Sequence, residues 1–318
     1  MDLSGLFSYL VFFLVIVSVY GLLSLGLNIQ WGYTKLFNIG IAGFFAVGAY
    51  TSAILTTPPA MDRVGGFNMP FLPAIVIAVL LSGFIAFLIG IPTLKLKEDY
   101  LAIATIGIAE TIRLFFNNEA WLANGVRGVS GIPRPFQHYI SFNYNLFYLL
   151  LMVVFVIGVY LAIEKALKSP WGRVLKAIGE DETVTQAMGK NIIRYKMESL
   201  VLGSMIMGMA GSLYAHFIQF ISPEVFVPMS GTFLVWVMLI AGGSGSNKGA
   251  LLGALVIWGL WSLTDLITNV VPVAYAVKAG AFRVIAIAIF LEVILLVRPQ
   301  GILGEKSVMK AAKKQEQE

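Results

Sequence analysis

Long apolar runs alternate with short polar segments along this chain. Three runs, Gly5 to Asn28, Phe71 to Leu94 and Phe142 to Ile163, contain no Asp, Glu, Lys or Arg. Each is about the 20 residues that a helix rising ~1.5 Å per residue needs to cross a ~30 Å hydrocarbon core. Six further runs are weaker candidates: Phe37 to Thr57, Tyr100 to Phe116, Leu200 to Ile221, Val225 to Ala241, Ala250 to Thr268 and Gly280 to Val297. The pattern predicts an all-α polytopic membrane protein with about nine transmembrane helices, within a range of ~8–10. For the short run Val225 to Ala241, a full span and a broken helix both fit. The first run is flanked by Asp2 and by no basic residue. It is therefore expected to persist as a helix rather than be removed as a signal peptide.

Charge gives the runs a direction. With the amino terminus outside, the inner side holds Lys35, Lys95, Lys97, Lys165, Lys168, Arg173, Lys176, Lys190, Arg194, Lys196, Lys248, Arg298, Lys306, Lys310, Lys313 and Lys314. The outer side holds only Arg63, Arg127, Arg134, Lys278 and Arg283, and Arg113 lies within a span. Sixteen of the 22 basic residues thus fall on one side, the asymmetry of the positive-inside rule. The expected topology has an external amino terminus and a cytoplasmic carboxyl terminus. The net charge of +5 is accounted for by inner loops and a basic tail, with no nucleic acid partner.

Composition agrees with a membrane solvent and removes several kinds of chemistry. Hydrophobic residues make up 58% and charged residues 12%, against roughly 25% charged in soluble domains. There are no cysteines, so disulfides, thiolate nucleophiles and Cys-ligated metals are excluded. Two histidines, His138 and His216, are too few for a His-rich metal site. The stretch Gly243-Ser244-Gly245-Ser246-Asn247-Lys248 lacks the glycine and the Ser or Thr that would flank the lysine of a phosphate-binding loop. No catalytic residue, metal or cofactor is expected, and ATP-driven transport would need a separate ATPase.

Charges inside a span cost a few kcal/mol and are functional candidates. Glu110 and Arg113 are spaced i, i+3 and Asn117 extends the same stripe. Counting from Asp99, Glu110 lies ~16 Å deep, near mid-membrane. These residues line a pathway or lock one helix to another; the spacing permits both. Gly40, Gly43 and Gly48, with Ala42, Ala46 and Ala49 among them, either let helices approach closely or line a pore. Asn38 joins them as a candidate break in the helix.

The inner segment 164–196 is too long for a plain helix connection of ~2–8 residues. Within it residues 179–189 read as a short helix with Glu180, Asp181 and Glu182 at its positive end and Gly189 as a left-handed stop. Val184, Ala187 and Met188 then share one face, suited to a groove in another protein or to the membrane surface.

Several motifs occur in a fixed order: Phe37-Asn38-Ile39-Gly40, then Leu94-Lys95-Leu96-Lys97-Glu98-Asp99-Tyr100, then Trp171-Gly172-Arg173 with Glu180-Asp181-Glu182 and Met188-Gly189. They continue with Ser222-Pro223-Glu224, Gly242-Gly243-Ser244-Gly245-Ser246 and Arg298-Pro299-Gln300-Gly301-Ile302-Leu303-Gly304. Together they resemble the LivM-type permease subunit of the branched-chain amino-acid ABC importer family. The resemblance implies one permease domain over 1–304, with 164–196 as the coupling loop pressed by an ATPase and 305–318 as a cytoplasmic tail. It implies four kinds of partner: a second, LivH-type permease, two cytoplasmic ATPase subunits, an extracytoplasmic solute-binding protein and the bilayer. The location is a bacterial-type plasma (inner) membrane and the default solutes are leucine, isoleucine and valine. Relatives that carry urea or amides are the nearest alternative. A secondary transporter or channel working without ATP is the rival from another class. The outer loop 117–142 is a candidate dock for the binding protein, and an ordinary solvated connection fits it equally well.

Overall fold

The computed structural model describes residues 3–59, 65–137, 140, 143–268 and 276–304. His138, Arg63 and the tail 305–318 lie outside these residues. The order of elements is α1 (Leu3–Leu27), α2 (Ile41–Thr56), α3 (Phe71–Thr93), α4 (Glu98–Asn118), α5 (Ala120–Ala123), β1 (Val129–Ser130), α6 (Tyr144–Lys168), α7 (Pro170–Glu180) and α8 (Glu182–Ala187). It continues with α9 (Ile192–Ile218), β2 (Phe220–Ile221), α10 (Leu234–Gly242), α11 (Asn247–Thr268) and α12 (Ala276–Val297). Among the described residues the only sheet is the antiparallel clip of β1 and β2, which pairs Val129 with Ile221 and Ser130 with Phe220.

Among the described residues four helices are long and apolar enough to cross a bilayer, Gly5–Gly32, Phe71–Thr93, Tyr144–Lys168 and Ile192–Ile218, or up to five if a further bent pair counts as one span. The sixth predicted run begins earlier than expected, because Asn191 caps α9 by accepting from the Arg194 amide at 3.1 Å. Val225 to Ala241 is not one helix. Pro223 opens a 3-10 turn over Pro223–Phe226, Pro228 precedes a π-helical turn over Met229–Phe233, and only then does α10 begin. Proline removes an N–H and crowds the preceding turn, which is why the apolar run is interrupted. Met229–Gly242 and Asn247–Thr264 then meet at a bend of 119°.

The core is centred on α2, which packs chiefly on α9 and also on α3 and α4. Thirteen residues from Ile41 to Thr56 are buried, so both faces of this helix are covered. Glycine makes that possible without a hydrophobic driving force between helices. A Cβ on Gly48 would run into the Gly208 carbonyl of α9, one on Gly211 into the Phe45 carbonyl, and one on Gly43 would sit 2.9 Å from the Ala109 Cα of α4. These glycines are contacts between backbones.

The Gly48 contact carries a prediction. Gly48→Leu overpacks the α2–α9 seam and is expected to cost about 3 kcal/mol or more, seen as a lower melting temperature in detergent. Gly107→Ala, on α4 with nothing within 4 Å of the new Cβ, is expected to leave melting unchanged or raise it, since alanine is favoured in helices by ~1 kcal/mol. Equal melting of the two variants would contradict the packing account.

Candidate functional site

Polar groups buried in the bundle fall into a network at the end of α1, a second at the end of α9 and the charged pair on α4. The first network grows from a defect in α1. After Leu27 the helix widens into a π turn over Asn28–Gly32 and ends at Lys35, whose left-handed φ of 53° lets the Leu36 amide reach back to the Gln30 carbonyl at 3.0 Å. Such turns recur at functional places in helices because the extra residue leaves backbone groups to be satisfied otherwise. Here Ser199 donates to the Ile29 carbonyl at 2.9 Å and Thr34 to the Gln30 carbonyl, while the side chains of the turn itself reach other elements. Asn28 Oδ1 accepts from the Gly245 amide at 2.8 Å, and its Nδ2 donates to Asn247 Oδ1 at 2.9 Å. Tyr33 donates to the same Oδ1 at 3.2 Å, and Asn247 Nδ2 donates to Glu164 at 3.0 Å. Gln30 donates to the Leu200 carbonyl at 3.0 Å and accepts from Asn38 at 2.8 Å. One network therefore ties α1, the end of α6, α9 and the α10–α11 turn. Partial burial lowers the pKa of Lys35 from the ordinary lysine range, and its ammonium lies 5.4 Å from the centre of the Trp31 ring.

Asn38, singled out from sequence as a helix break, stands in this network between α1 and α2. It is fully buried, and its Oδ1 accepts from the Gly40 amide at 2.7 Å while its carbonyl accepts from Trp236 Nε1 at 3.1 Å. Gly40 and Gly43 face α4 at Thr105 and Ala109, and Gly48 faces α9. Asn28, Gln30 and Asn247 were not anticipated, nor were Ser199, at the Ile29 carbonyl, and Ser204, which accepts from Gln30 at 3.4 Å. Only Asn28 and Gln30 had a signal, as amides closing the first apolar run, which reads as a span end but is buried.

Glu110 and Arg113 do meet. Arg113 Nε lies 2.9 Å from Glu110 Oε2, and its Nη2 lies 2.5 Å from Oε1, a two-pronged pair. A second carboxylate, Glu224, stands 3.8 Å from Arg113 Nη1. The Arg113 side chain is 16% exposed and that of Glu110 37%, and Asn117 is half-buried one turn further on. The exposed stripe of α4 beside them runs through Ile103, Gly107, Thr111 and Leu114. A charged pair flanking a face without a covering helix is out of place against lipid.

At the carboxyl end of α9 a chain of hydrogen bonds was also unforeseen. His216 Nδ1 can only donate to the Pro133 carbonyl, at 2.8 Å, so its Nε2 accepts from Ser52 at 2.9 Å, and Ser52 accepts from Ser212 at 2.7 Å. This chain and the β1–β2 clip fasten the segment from Val129 to Pro133 to α2 and α9.

The segment 164–196 is shorter than its sequence suggested, because α6 runs to Lys168 and α9 starts at Ile192. It holds two helices instead of one. Gly179 and Glu180 belong to α7, and Asp181 is the extended N-cap of α8, its carboxylate accepting from the Val184 amide at 3.0 Å. Glu182 lies in the first turn of α8 and pairs with Lys196 of α9. Gly189 has a left-handed φ of 79° and closes the turn. Val184 is 56% exposed, Met188 76%, and Ala187 is exposed beside them. The other face is anchored: Leu175 and Ile178 of α7 are buried, and Gly179 lies against the Tyr33 carbonyl.

Two glycine motifs distant in sequence come together at the α10–α11 turn. The Ile302 and Leu303 amides donate to the Ala241 and Gly242 carbonyls at 2.9 and 2.8 Å, so the segment after α12 caps the end of α10. Gly301 permits this with φ 79° and a backbone almost touching Gly243. Among the described residues no group of three His, Cys, Asp or Glu is placed to hold a metal ion.

Comparison with known proteins gives this arrangement a context. Residues 9–294 match the family model described as branched-chain amino acid transport system / permease component. The chain is 30% identical to the high-affinity branched-chain amino acid transport system permease protein LivM of Escherichia coli over 263 residues, which cover 75% of this chain and 60% of that protein. It is 27% identical to the probable LivM of Methanocaldococcus jannaschii over 92% of both chains, and 26% identical to LivH of Escherichia coli over 92% of this chain and 94% of that one. No solved structure matches. The match over residues 9–294, carrying the buried amides, the glycine seams and the α7–α8 loop alike, makes the chain a member of the family of branched-chain amino acid transport system permease components.

Proposed function

We propose that this chain is one permease subunit of an ATP-driven importer in a bacterial-type inner membrane, carrying leucine, isoleucine or valine. It works with a second permease, two cytoplasmic ATPases and an extracytoplasmic binding protein. The observation that carries this is α8, a capped helix that exposes Val184, Ala187 and Met188 while α7 and the Glu182–Lys196 pair fix it to the bundle. An exposed apolar stripe on a rigid mount is what a partner's groove grips. Gly179 and Tyr33 link that mount to the π turn of α1 and its network. Family membership and the printed names of the relatives support the solute.

In this proposal nine spans run with the amino terminus outside, α10 and α11 counting as the seventh and eighth. The sixteen-to-five split of basic residues supports the orientation. Because the chain has no cysteine, a single introduced thiol reports its own side. Val126→Cys is expected to react with an impermeant maleimide from outside intact cells, and Met188→Cys only after permeabilisation; the reverse pattern would invert the topology.

The Glu110–Arg113 pair and Asn117 face the translocation pathway shared with the second permease. A carboxylate beside a guanidinium complements the two charged ends of an amino acid, so cargo can exchange for the internal partner without leaving a bare charge. The double exchange Glu110→Arg with Arg113→Glu keeps the pair and reverses its direction. Loss of uptake in a stably folded variant is expected; uptake at the wild-type rate would reduce the pair to a fastening between helices.

For the coupling role, Val184→Asp with Met188→Asp is expected to cut ATP-dependent uptake about tenfold or more, equivalent to ~1.4 kcal/mol of lost coupling, while the chain stays folded in the membrane. Normal uptake by that double variant would remove α8 from the ATPase interface.

A further inference from the structure

Along α9, between α3 and α6, runs a groove that none of the roles above uses. Its deep part is a cavity of about 280 Å³ walled by Val79 of α3, Ala162 and Ile163 of α6, and Met205 and Met209 of α9. A second hollow of about 500 Å³ opens beside Phe87, Trp171, Arg194 and Glu198. Trp171 and Leu202 line both, so the two are adjacent along α9. The groove exists because α6 leans on α1 while α3 packs on α9. From Arg194 to Met209 the helix rises about 22 Å, close to the depth of one leaflet with its headgroups.

The mouth and the interior have opposite chemistry. Inside, the walls are aliphatic side chains and methionines. At the mouth Glu198 holds two groups in place: Trp171 Nε1 donates to its Oε2 at 2.7 Å, and Arg194 Nε donates to its Oε1 at 2.9 Å. That bond engages Nε, while the guanidinium end of Arg194 extends outward from a side chain that is 75% exposed. The last turn of α6, which gives Ala166 and Leu167 to the groove, also carries Lys165 and Lys168. With Glu198 set against Arg194, the two lysines leave the mouth positive. Indole at headgroup depth and a guanidinium able to fork onto phosphate oxygens are the groups that receive a lipid headgroup.

Chemistry decides between occupants: an aliphatic hollow beneath a mouth carrying Arg194, Lys165 and Lys168 matches an acyl chain attached to an anionic headgroup. We propose that the α3–α6–α9 groove is a binding site for an anionic phospholipid, with one acyl chain in the cavity and its phosphate at Arg194. Placing it in the cytoplasmic leaflet rests on the orientation proposed above.

The test uses the full chain in vesicles of equal parts phosphatidylcholine and phosphatidylglycerol, doped with phosphatidylglycerol bearing a diazirine on its acyl chain. After illumination, label is expected on the groove-facing peptides of α6 and α9 in excess of the lipid-exposed face of α12, displaced by added phosphatidylglycerol but not by phosphatidylcholine. Arg194→Gln is expected to lower groove labelling about fivefold, the factor corresponding to ~1 kcal/mol for one basic residue at an anionic surface. Ala162→Trp should abolish it while α12 labelling is unchanged, and Met205→Phe provides a second filling variant if the first does not fold. Uniform labelling of all exposed faces, equal displacement by both lipids, or groove labelling that survives filling would overturn the site. An inverted thiol-accessibility pattern would move the site to the other leaflet and leave these labelling results intact, so the two failures are distinguishable.

Discussion

Inside a hydrocarbon core no water is available to a polar group, so every break in a helix must be paired within the protein. This constraint organises the end of the bundle around the π turn of α1. The π turn at Asn28–Gly32 leaves α1 irregular where it leaves the apolar run. Asn28, Gln30, Asn38 and Asn247 answer it with hydrogen bonds across helices. Because Asn247 opens α11 and also holds Glu164 at the end of α6, one defect fixes the relative positions of four elements. Interhelical hydrogen bonds of this kind contribute about 0.6 kcal/mol each. Their importance here is geometric, since they hold the α7–α8 loop and the α10–α11 turn to a common base.

Glycine supplies the second half of the construction. Apolar helices gain nothing from hiding hydrophobic surface when lipid is equally apolar, so contact must come from close backbone approach. The Gly48–Gly208 and Gly43–Ala109 contacts give α2 that approach on two sides, leaving it the most enclosed helix of the molecule. Around this dense centre α4 and α6 stand more openly. On α4 the open side brings the Glu110–Arg113 pair partly to the surface, and on α6 it leaves the apolar groove beside α9.

Much of this was legible in the apolar runs and the charges between them. The long uncharged runs became long helices at Gly5–Gly32, Phe71–Thr93 and Tyr144–Lys168, because composition alone decides what a bilayer accepts. The spacing of Glu110 and Arg113 gave their pairing, since i, i+3 neighbours lie on one helix face. What was hidden depended on contacts distant in sequence. Asn28 and Asn247 are 219 residues apart, and nothing local marks them as partners. Residues 179–189 looked like one helix because acids, apolar stripe and stopping glycine were all present. The extended φ of −155° at Asp181 divides it, a capping choice that periodicity does not reveal. Similarly, the His216–Ser52–Ser212 chain needs two helices and an outer loop to meet, and none of the three residues stands out alone.

The central claim is that this permease moves branched-chain amino acids only as part of an ATP-driven assembly. The direct measurement is uptake of radiolabelled leucine into proteoliposomes containing this chain, its paired permease and the ATPases, with ATP inside and the binding protein outside. The account predicts uptake that is lost when any one of these components is withheld. Leucine transport by this chain alone, without ATP, would contradict it.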